Sequence, residues 1–336
     1  MNIKEVARRA GVSISTVSRV INGTANVRPE VKQRVEAVIQ ETGYRPNSLA
    51  KELQRNKTNT IGVLLSAPAL DLTSLGSTIN AISDVLKKSG YSIMFANSRF
   101  DPEEELDFFK LFQEKRVDGI LYFAVDFTEE HYKLLKNYPI PIVMIGQEDA
   151  VLDFPCVVHN NYHAAKHATE YLISQGHRRI GFIGAPLMDR AAGAERRRGY
   201  EAAMLLNQLH LEPEAMAEGD FSIESGGKAM ESILERCSVP PTALFVATDF
   251  MAMGAMHHLL ERGLRIPEDV SIVGFDDVNM AHVYNPPLTT IRSDNREVGT
   301  RAADLLLEIL HKKEPEVKKY VANYELMVRK SVKKIM

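Results

Sequence analysis

Residues 10–22 read Ala10-Gly11-Val12-Ser13-Ile14-Ser15-Thr16-Val17-Ser18-Arg19-Val20-Ile21-Asn22. This stretch has the form of a helix-turn-helix core. Upstream, Asn2-Ile3-Lys4-Glu5 has the spacing of a helix N-cap with a reciprocating Glu three positions on. Ile3, Val6, Ala7 and Ala10 recur at helical spacing and make one apolar stripe. Gly11 can take the positive φ of a tight turn. Ser13 can cap the next helix, which carries Val17, Val20 and Ile21 on its buried side. Ile14, Ser15, Ser18, Arg19 and Asn22 fall at the other face, with Ser13 and Thr16 at its N-terminal end. A short second helix that presents polar and basic groups from its first turns is how this motif reads a major groove. The expected partner is therefore duplex DNA, with Ser13, Ile14, Ser15, Thr16, Arg19 and Asn22 as the contacting set. An αα-hairpin with a solvated face is the plainer alternative, but period, caps and turn all agree on the motif.

Charge supports this. Residues 1–60 hold eleven Lys/Arg against five Asp/Glu, a balance of +6, and the whole chain of 336 residues carries −3. The remainder is thus acidic, at −9. A basic head on an acidic body suits neutralisation of phosphates by the head alone.

After a polar loop, Pro29 opens a third helix, where its missing N–H costs nothing. Val31, Val35, Val38 and Ile39 form the buried stripe of that helix, and Gly43 ends it. Arg45-Pro46 breaks the chain. Asn47 to Leu53 then forms a possible two-turn helix, too short to be stable alone. The polar run 54–60 reads as a linker.

From Thr60 onward, short apolar runs alternate with helical patterns. Ile61–Leu65, Ser92–Ala96, Gly119–Phe123 and Ile142–Ile145 read as buried strands. Helical patterns at 79–89, 102–114 and 129–138 separate them. The alternation restarts with helix 163–174, strand 180–183, helices 195–207 and 226–234, strand 243–247, helix 249–262 and strand Ser271–Phe275. Continuous apolar strands between helices imply parallel sheets covered on both faces. About 270 residues of this fits two doubly wound lobes, given domains of about 100–200 residues. Ligands in such folds lie beyond the carboxyl ends of the strands. Two facing lobes therefore make a closing cleft.

Three polar groups fall at such strand ends: Asp276, Asp249 and Arg196. Phe221, in Gly219-Asp220-Phe221-Ser222, offers a flat apolar face for a sugar or nucleobase. Each has a plainer role open to it. Asp249 can cap its own helix, Arg196 can be a solvated member of the Arg196-Arg197-Arg198 run, and Phe221 can belong to the core. No catalytic constellation, nucleotide loop or metal-ligand spacing stands out, so no enzyme activity, cofactor or metal is expected. Cys156 and Cys237 read as reduced thiols. Without a signal peptide or membrane segment, the expected location is the cytoplasm.

The segment Asn2 to Leu53 closely resembles the DNA-binding head and hinge of the lactose-repressor (LacI/GalR) family of bacterial transcription regulators. The carrying residues are Val6-Ala7, Ala10-Gly11-Val12-Ser13, Thr16 to Asn22, Gly43-Tyr44, Pro46-Asn47, Leu49-Ala50 and Leu53, and the body matches too. The resemblance implies a small all-α helix-turn-helix head (1–46), a hinge helix and linker (47–60), and an α/β body like periplasmic binding proteins. It places the first lobe at 61–161 with 292–320 and the second at 162–291 with 321–336. It implies a homodimeric repressor of a palindromic operator, with Leu53 wedged into the minor groove. A small metabolite, expected to be a sugar, would sit in the cleft. By residue, Arg196 before Gly199-Tyr200, Asp276 after Gly274-Phe275, and Phe221 match effector contacts. Arg190 lies where purine-responsive members place an arginine. Arg28 departs from the family, which usually has a capping Ser there. The resemblance leaves open a purine-responsive repressor and a global carbon-catabolite regulator with a phosphoprotein partner. A sugar-binding protein that does not touch DNA is the reading from a different class, and it has no use for the head.

Overall fold

The computed structural model describes residues 2–22, 27–44, 57–67, 72–312 and 317–335. The chain divides into two units, Met1–Thr58 and Asn59–Met336.

The head is three helices: α1 (Ile3–Ala10), α2 (Ile14–Asn22) and α3 (Pro29–Thr42). The Asn2 side chain accepts from the Glu5 amide at 3.0 Å. The reciprocal half of the expected cap does not form. The Glu5 carboxylate turns to its own helix and accepts from Arg8 Nε at 2.9 Å and Arg9 Nε at 3.0 Å. Charge-assisted bonds of this kind outcompete a bond to a neutral amide. Gly11 takes φ +64°, and its amide closes α1. Val6, Ala7, Ala10, Val17, Val20, Val35 and Val38 make the core with Tyr44. Arg28 makes no side-chain cap on α3, whose first residue is Pro29.

The body contains β1 (Thr60–Leu65), α4 (Leu72–Lys88), β2 (Ser92–Asn97), α5 (Pro102–Glu114), β3 (Gly119–Phe123), α6 (Glu129–Leu135), β4 (Ile142–Gly146) and β5 (Cys156–His159). It continues with α7 (Asn161–Ser174), β6 (Ile180–Gly184), a π turn (Arg190–Glu195), α8 (Arg196–Leu206), β7 (Met216–Glu218), α9 (Ile223–Arg236), β8 (Ala243–Val246), α10 (Asp249–Glu261) and β9 (Ser271–Phe275). Last come α11 (Asn279–Val283), β10 (Thr289–Ser293), α12 (Asn295–Leu310), β11 (Lys319–Ala322) and β12 (Tyr324–Met327).

These strands form two sheets, ordered β11-β5-β4-β3-β1-β2 and β12-β10-β9-β8-β6-β7. Leaving out the sixth strand of each, the two orders are the same doubly wound pattern met twice. Pairing is parallel throughout, except that β12 runs antiparallel to β10, with Ile291 opposite Leu326. The second sheet is therefore mixed rather than wholly parallel as expected, because β10 leaves this lobe beside the point where β12 enters it, with Ser293 opposite Tyr324. Ser92–Ala96 departs from the expected buried strand. As an edge strand of the first sheet, β2 buries only Ala96, and Phe95 is exposed. The central strands β3, β8 and β9 are buried along their whole length.

The chain passes between the lobes at Asn160, Asp294 and Asn323, which separate elements of the two sheets. Residues 292–293 therefore extend β10 of the second lobe, and 321–322 extend β11 of the first. Hydrogen bonding in the strands, which the sequence pattern does not resolve, moves these limits by two residues. Helix α12 packs on α4 and on β3 and β4, so it belongs to the first lobe.

Candidate functional site

In the head, the N-terminal end of α2 gathers hydroxyls. The Ser13 hydroxyl accepts from the Thr16 amide at 3.2 Å and lies 2.7 Å from the Ser15 hydroxyl and 2.9 Å from that of Thr16. Ile14, Ser15 and Arg19 are exposed, while Val17 and Val20 face inward. This end of a helix carries its partial positive charge and unpaired amides, which favours an anion. An exposed Ile14 beside polar groups suits contact with a thymine methyl in a major groove. The Asn22 side chain, and the hinge with Leu53, lie outside the described residues.

In the body, the loops that leave the carboxyl ends of both sheets converge on one cavity of about 160 Å³. The first lobe supplies Ser66 after β1, Phe100 after β2, Val125 after β3, and Gly146 and His159 at the ends of β4 and β5. From the second come Asp189 after β6, Phe221 after β7, Thr248 after β8 and Asp276 after β9. Both sheets thus present the ends where ligands of doubly wound folds bind.

Arg196 sits at the centre, 6 % exposed. It opens α8 directly after the π turn, a local irregularity common at functional sites. Its Nε donates to Asn161 Oδ1 at 2.9 Å and its Nη1 to the Ala247 carbonyl at 2.5 Å. Its Nη2 is 3.4 Å from Asp276 Oδ1, and its guanidinium lies 3.6 Å over the Phe275 ring. Burial pulls the guanidinium below its ordinary pKa, and the carboxylates of Asp276, Asp189 and Asp249 oppose that shift. The charge is therefore held by neighbours and not by water. Arg196 is no solvated member of its run: Arg197 and Arg198, by contrast, pair with Glu201 and Glu195.

Asp276 adopts φ +112° and Asp277 φ +53°. Backbone of this kind is costly for non-glycine residues and persists where the surroundings fix it. Here the Asp276 amide donates to the Ile291 carbonyl at 2.8 Å. The next fixing group is Asp249. It is wholly buried, and its two oxygens accept from the Val278 amide at 2.9 Å and the Thr290 hydroxyl at 2.6 Å. Asp249 therefore stands behind the cavity wall and holds the 276–278 turn. It neither lines the cavity, as the sequence suggested, nor caps its helix. Thr248 is the cap, accepting from the Met251 amide at 3.3 Å. Burial, with Asp276 nearby, pushes the Asp249 carboxyl well above the usual range.

Phe221 adopts φ +74° and faces Phe100 across the cleft, with ring centroids 6.4 Å apart and planes 29° apart. Each lobe therefore offers one aromatic face. Arg190 stands outside the inner cavity. Its guanidinium spans to the first lobe, 3.8 Å from Asp126 and 3.9 Å from Asp149.

Among the cavity residues outside the sequence-based set are Phe100, Asn161, Asp189 and His159. Asn161 follows the end of β5 and Asp189 precedes the π turn, where its carboxylate accepts from the Ala192 amide at 2.8 Å. The signal for both was their place just beyond a strand. Burial, then the nearby Arg196 charge, pulls the His159 imidazole down to about 4, so it is neutral at pH 7.

Among the described residues, no helix is long and apolar enough to cross a membrane, and no group of three His, Cys, Asp or Glu could hold a metal ion.

Comparison with known proteins agrees with this architecture. Residues 2–47 match the family model of bacterial regulatory proteins of the lacI family, and residues 169–332 match a periplasmic binding protein-like domain. Catabolite control protein A of Priestia megaterium is 35% identical over 312 residues, 93% of each chain. The HTH-type transcriptional repressor PurR of Pasteurella multocida is 36% identical over 334 residues, 98% of each. A crystal structure of the Lac repressor dimer bound to operator and the anti-inducer ONPF superposes with a TM-score of 0.90 at 28% identity, covering 99% of both chains. A reading head with a buried apolar side and an exposed polar face, a two-lobe body with its cleft at the strand ends, and end-to-end relatives all agree: this chain belongs to the LacI family of bacterial transcription regulators.

Proposed function

We propose that this regulator binds a two-fold symmetric operator as a homodimer and that a sugar in the inter-lobe cleft controls that binding. The reading head is α2, with Ser13, Ile14, Ser15, Thr16, Arg19 and Asn22 facing DNA and Leu53 of the hinge at the operator centre. One head offers few base contacts, and a symmetric pair doubles them. The structural likeness to the Lac repressor dimer bound to operator supports this reading.

The observation that carries the cleft reading is the buried Arg196 surrounded by Asn161, Asp189 and Asp276. Vicinal hydroxyls both donate and accept, and this set offers carboxylate acceptors beside amide and guanidinium donors. Phe221 and Phe100 supply flat apolar faces for the C–H side of a pyranose. Arg190 acts here as a tie between the lobes through Asp126 and Asp149. Because the lobes are joined at Asn160, Asp294 and Asn323, closure on a ligand displaces one lobe against the other, and the hinge segment 47–60 carries that change to the heads. The coupling is reciprocal: operator must change effector affinity by the factor by which effector changes operator affinity.

A second reading, a purine effector, has one specific observation behind it. The Phe100–Phe221 pair faces across the cleft as a base-stacking sandwich would, and relatives include PurR. Calorimetric titration with sugars and with hypoxanthine and guanine decides between them. A sugar should give heat of binding and the purines none. Asp276→Asn then weakens that binding by about 1.5–3 kcal/mol, the worth of a hydrogen bond to a charged group. Unchanged affinity in the variant would remove Asp276 from the site.

A further inference from the structure

Among the described residues, consecutive non-glycine residues take left-handed backbone at two places. These are Arg99-Phe100, at φ +53° and +67°, and Asp276-Asp277, at φ +112° and +53°. Each pair lies just past a strand, and Phe100 and Asp276 both line the inner cavity. Such backbone is costly and persists only where the surroundings over-determine it. In the second lobe the fixing group is the buried Asp249 carboxylate behind the wall. The first lobe has a counterpart.

Glu105 lies one turn into α5, is 3 % exposed and does not line the cavity. Its Oε1 accepts from the Ser98 hydroxyl at 3.1 Å, and its Oε2 accepts from the Tyr122 hydroxyl at 2.8 Å. Oε2 is also 3.0 Å from His131 Nε2. The Thr128 amide donates to His131 Nδ1 at 3.2 Å, so the proton of the neutral ring lies on Nε2, beside the carboxylate. One carboxylate thus fastens α5 to β3, to α6 and to the residue just before the strained pair. The rest of the turn is pinned around it. Asn97 Oδ1 accepts from the Arg99 amide at 3.1 Å and from the amide of Ala67, a cavity residue, at 3.3 Å. The Asp101 amide donates to the Ser98 carbonyl at 3.0 Å and closes the turn on its far side. A buried carboxylate is costly unless its bonds are made. Filling space alone would cost less with leucine.

We propose that Glu105 is a positioning residue of the effector site: from behind the wall it fixes the turn that sets Phe100 against the ligand, as Asp249 does for Asp276 in the other lobe. The inference rests on the cleft being the effector site and holds for a sugar or a purine alike.

Two variants separate its bonds from its bulk. Glu105→Leu fills the space and leaves the Ser98, Tyr122 and His131 donors without their acceptor. Glu105→Gln keeps the bonds: its oxygen accepts from Tyr122 and His131, and its amide nitrogen donates to Ser98, whose hydroxyl turns to the Leu65 carbonyl 3.3 Å away. Hydrogen exchange of the full chain, read by mass spectrometry, reports the turn without any ligand. Peptides spanning 97–104 should exchange about tenfold faster in Glu105→Leu, the worth of a lost buried acceptor, and near the wild-type rate in Glu105→Gln. Peptides of α9, in the other lobe, should not change. If Glu105→Leu does not fold, Ser98→Ala removes the bond nearest the turn and should show the same local pattern.

Calorimetric titration with glucose, galactose, hypoxanthine and guanine supplies the functional arm. Any of these that binds the wild type should bind Glu105→Leu about tenfold more weakly and Glu105→Gln unchanged. In a Phe100→Ala background Glu105→Leu should cost no further affinity, because a residue that acts through another is not additive with it. A merely structural Glu105 would weaken binding equally in both backgrounds and speed exchange throughout the first lobe, and either result overturns the proposal. Failure of all four probes to bind the wild type counts against the sugar and purine readings and leaves the exchange result to decide on Glu105. A turn as protected in Glu105→Leu as in the wild type overturns it.

Discussion

Arg196→Ala lowers the stability of the body by about 3–5 kcal/mol and abolishes the response of operator binding to effector. The size follows from what the side chain holds. It is almost wholly buried and satisfies Asn161, the Ala247 carbonyl and Asp276, while stacking on Phe275. Removing one member of a buried charged set leaves the others desolvated and unpaired, which is where losses of about 3–5 kcal/mol arise. Asp249 and Asp276 would then face each other's charge with no cation beside them. Lysine is no remedy, since a single ammonium cannot bridge three acceptors in one plane or stack on the ring. Urea denaturation measures the loss directly. A midpoint equal to that of the wild type would show that Arg196 is solvated and would remove it from the centre of the site.

Gly254→Ala is expected to cost at least about 3 kcal/mol, at a position that does not itself line the cleft. Helices α9 and α10 cross backbone to backbone. A Cβ at Gly254 would lie 1.8 Å from the Ile223 carbonyl oxygen and 2.9 Å from the Gly227 amide, and one at Gly226 would lie 2.1 Å from the Met251 carbonyl oxygen. Overpacking typically costs about 1–3 kcal/mol, and more where the clashing atom cannot rotate away. Backbone atoms cannot. To admit the methyl, α10 must move, and its first residue, Asp249, anchors the turn that presents Asp276. The variant should therefore lose stability and effector affinity together. An unchanged denaturation midpoint would contradict the close crossing.

The head was the most legible part of the sequence because its signals are local. Asn2, Gly11, Ser13 and Gly43 act within a few residues of themselves, and each does so in the structure. Glu5 shows the limit, since its choice of Arg8 and Arg9 over the Asn2 amide depends on competing partners within one turn. The two-lobe class was also legible, from fully apolar strands such as Gly119–Phe123 and Ser271–Phe275. Edge strands were harder. Ser92–Asn97 looks buried by composition, yet its exposure follows from sheet order, which no local pattern encodes. The short β7 and the antiparallel β12 likewise depend on long-range pairing.

In the cleft, Asp276 and Asp249 carry the same signal, an acidic residue directly past an apolar strand. Only the structure separates them. The backbone at 276 turns into the cavity at positive φ, while Asp249 points back to Thr290 and Val278. Phe100 was not foreseen because its role depends on Phe221, over a hundred residues away, and on a backbone turn at φ +67°.

The claim that α2 reads a specific duplex is tested most directly by selecting bound sequences from a pool of random duplex DNA with the full chain. One two-fold symmetric sequence should be enriched. Arg19→Ala should then lose about 1–3 kcal/mol on that sequence and less on random DNA, with its preference relaxed at one base pair of each half-site. Enrichment of no sequence, or equal affinity for selected and random duplexes at the same salt, would contradict it.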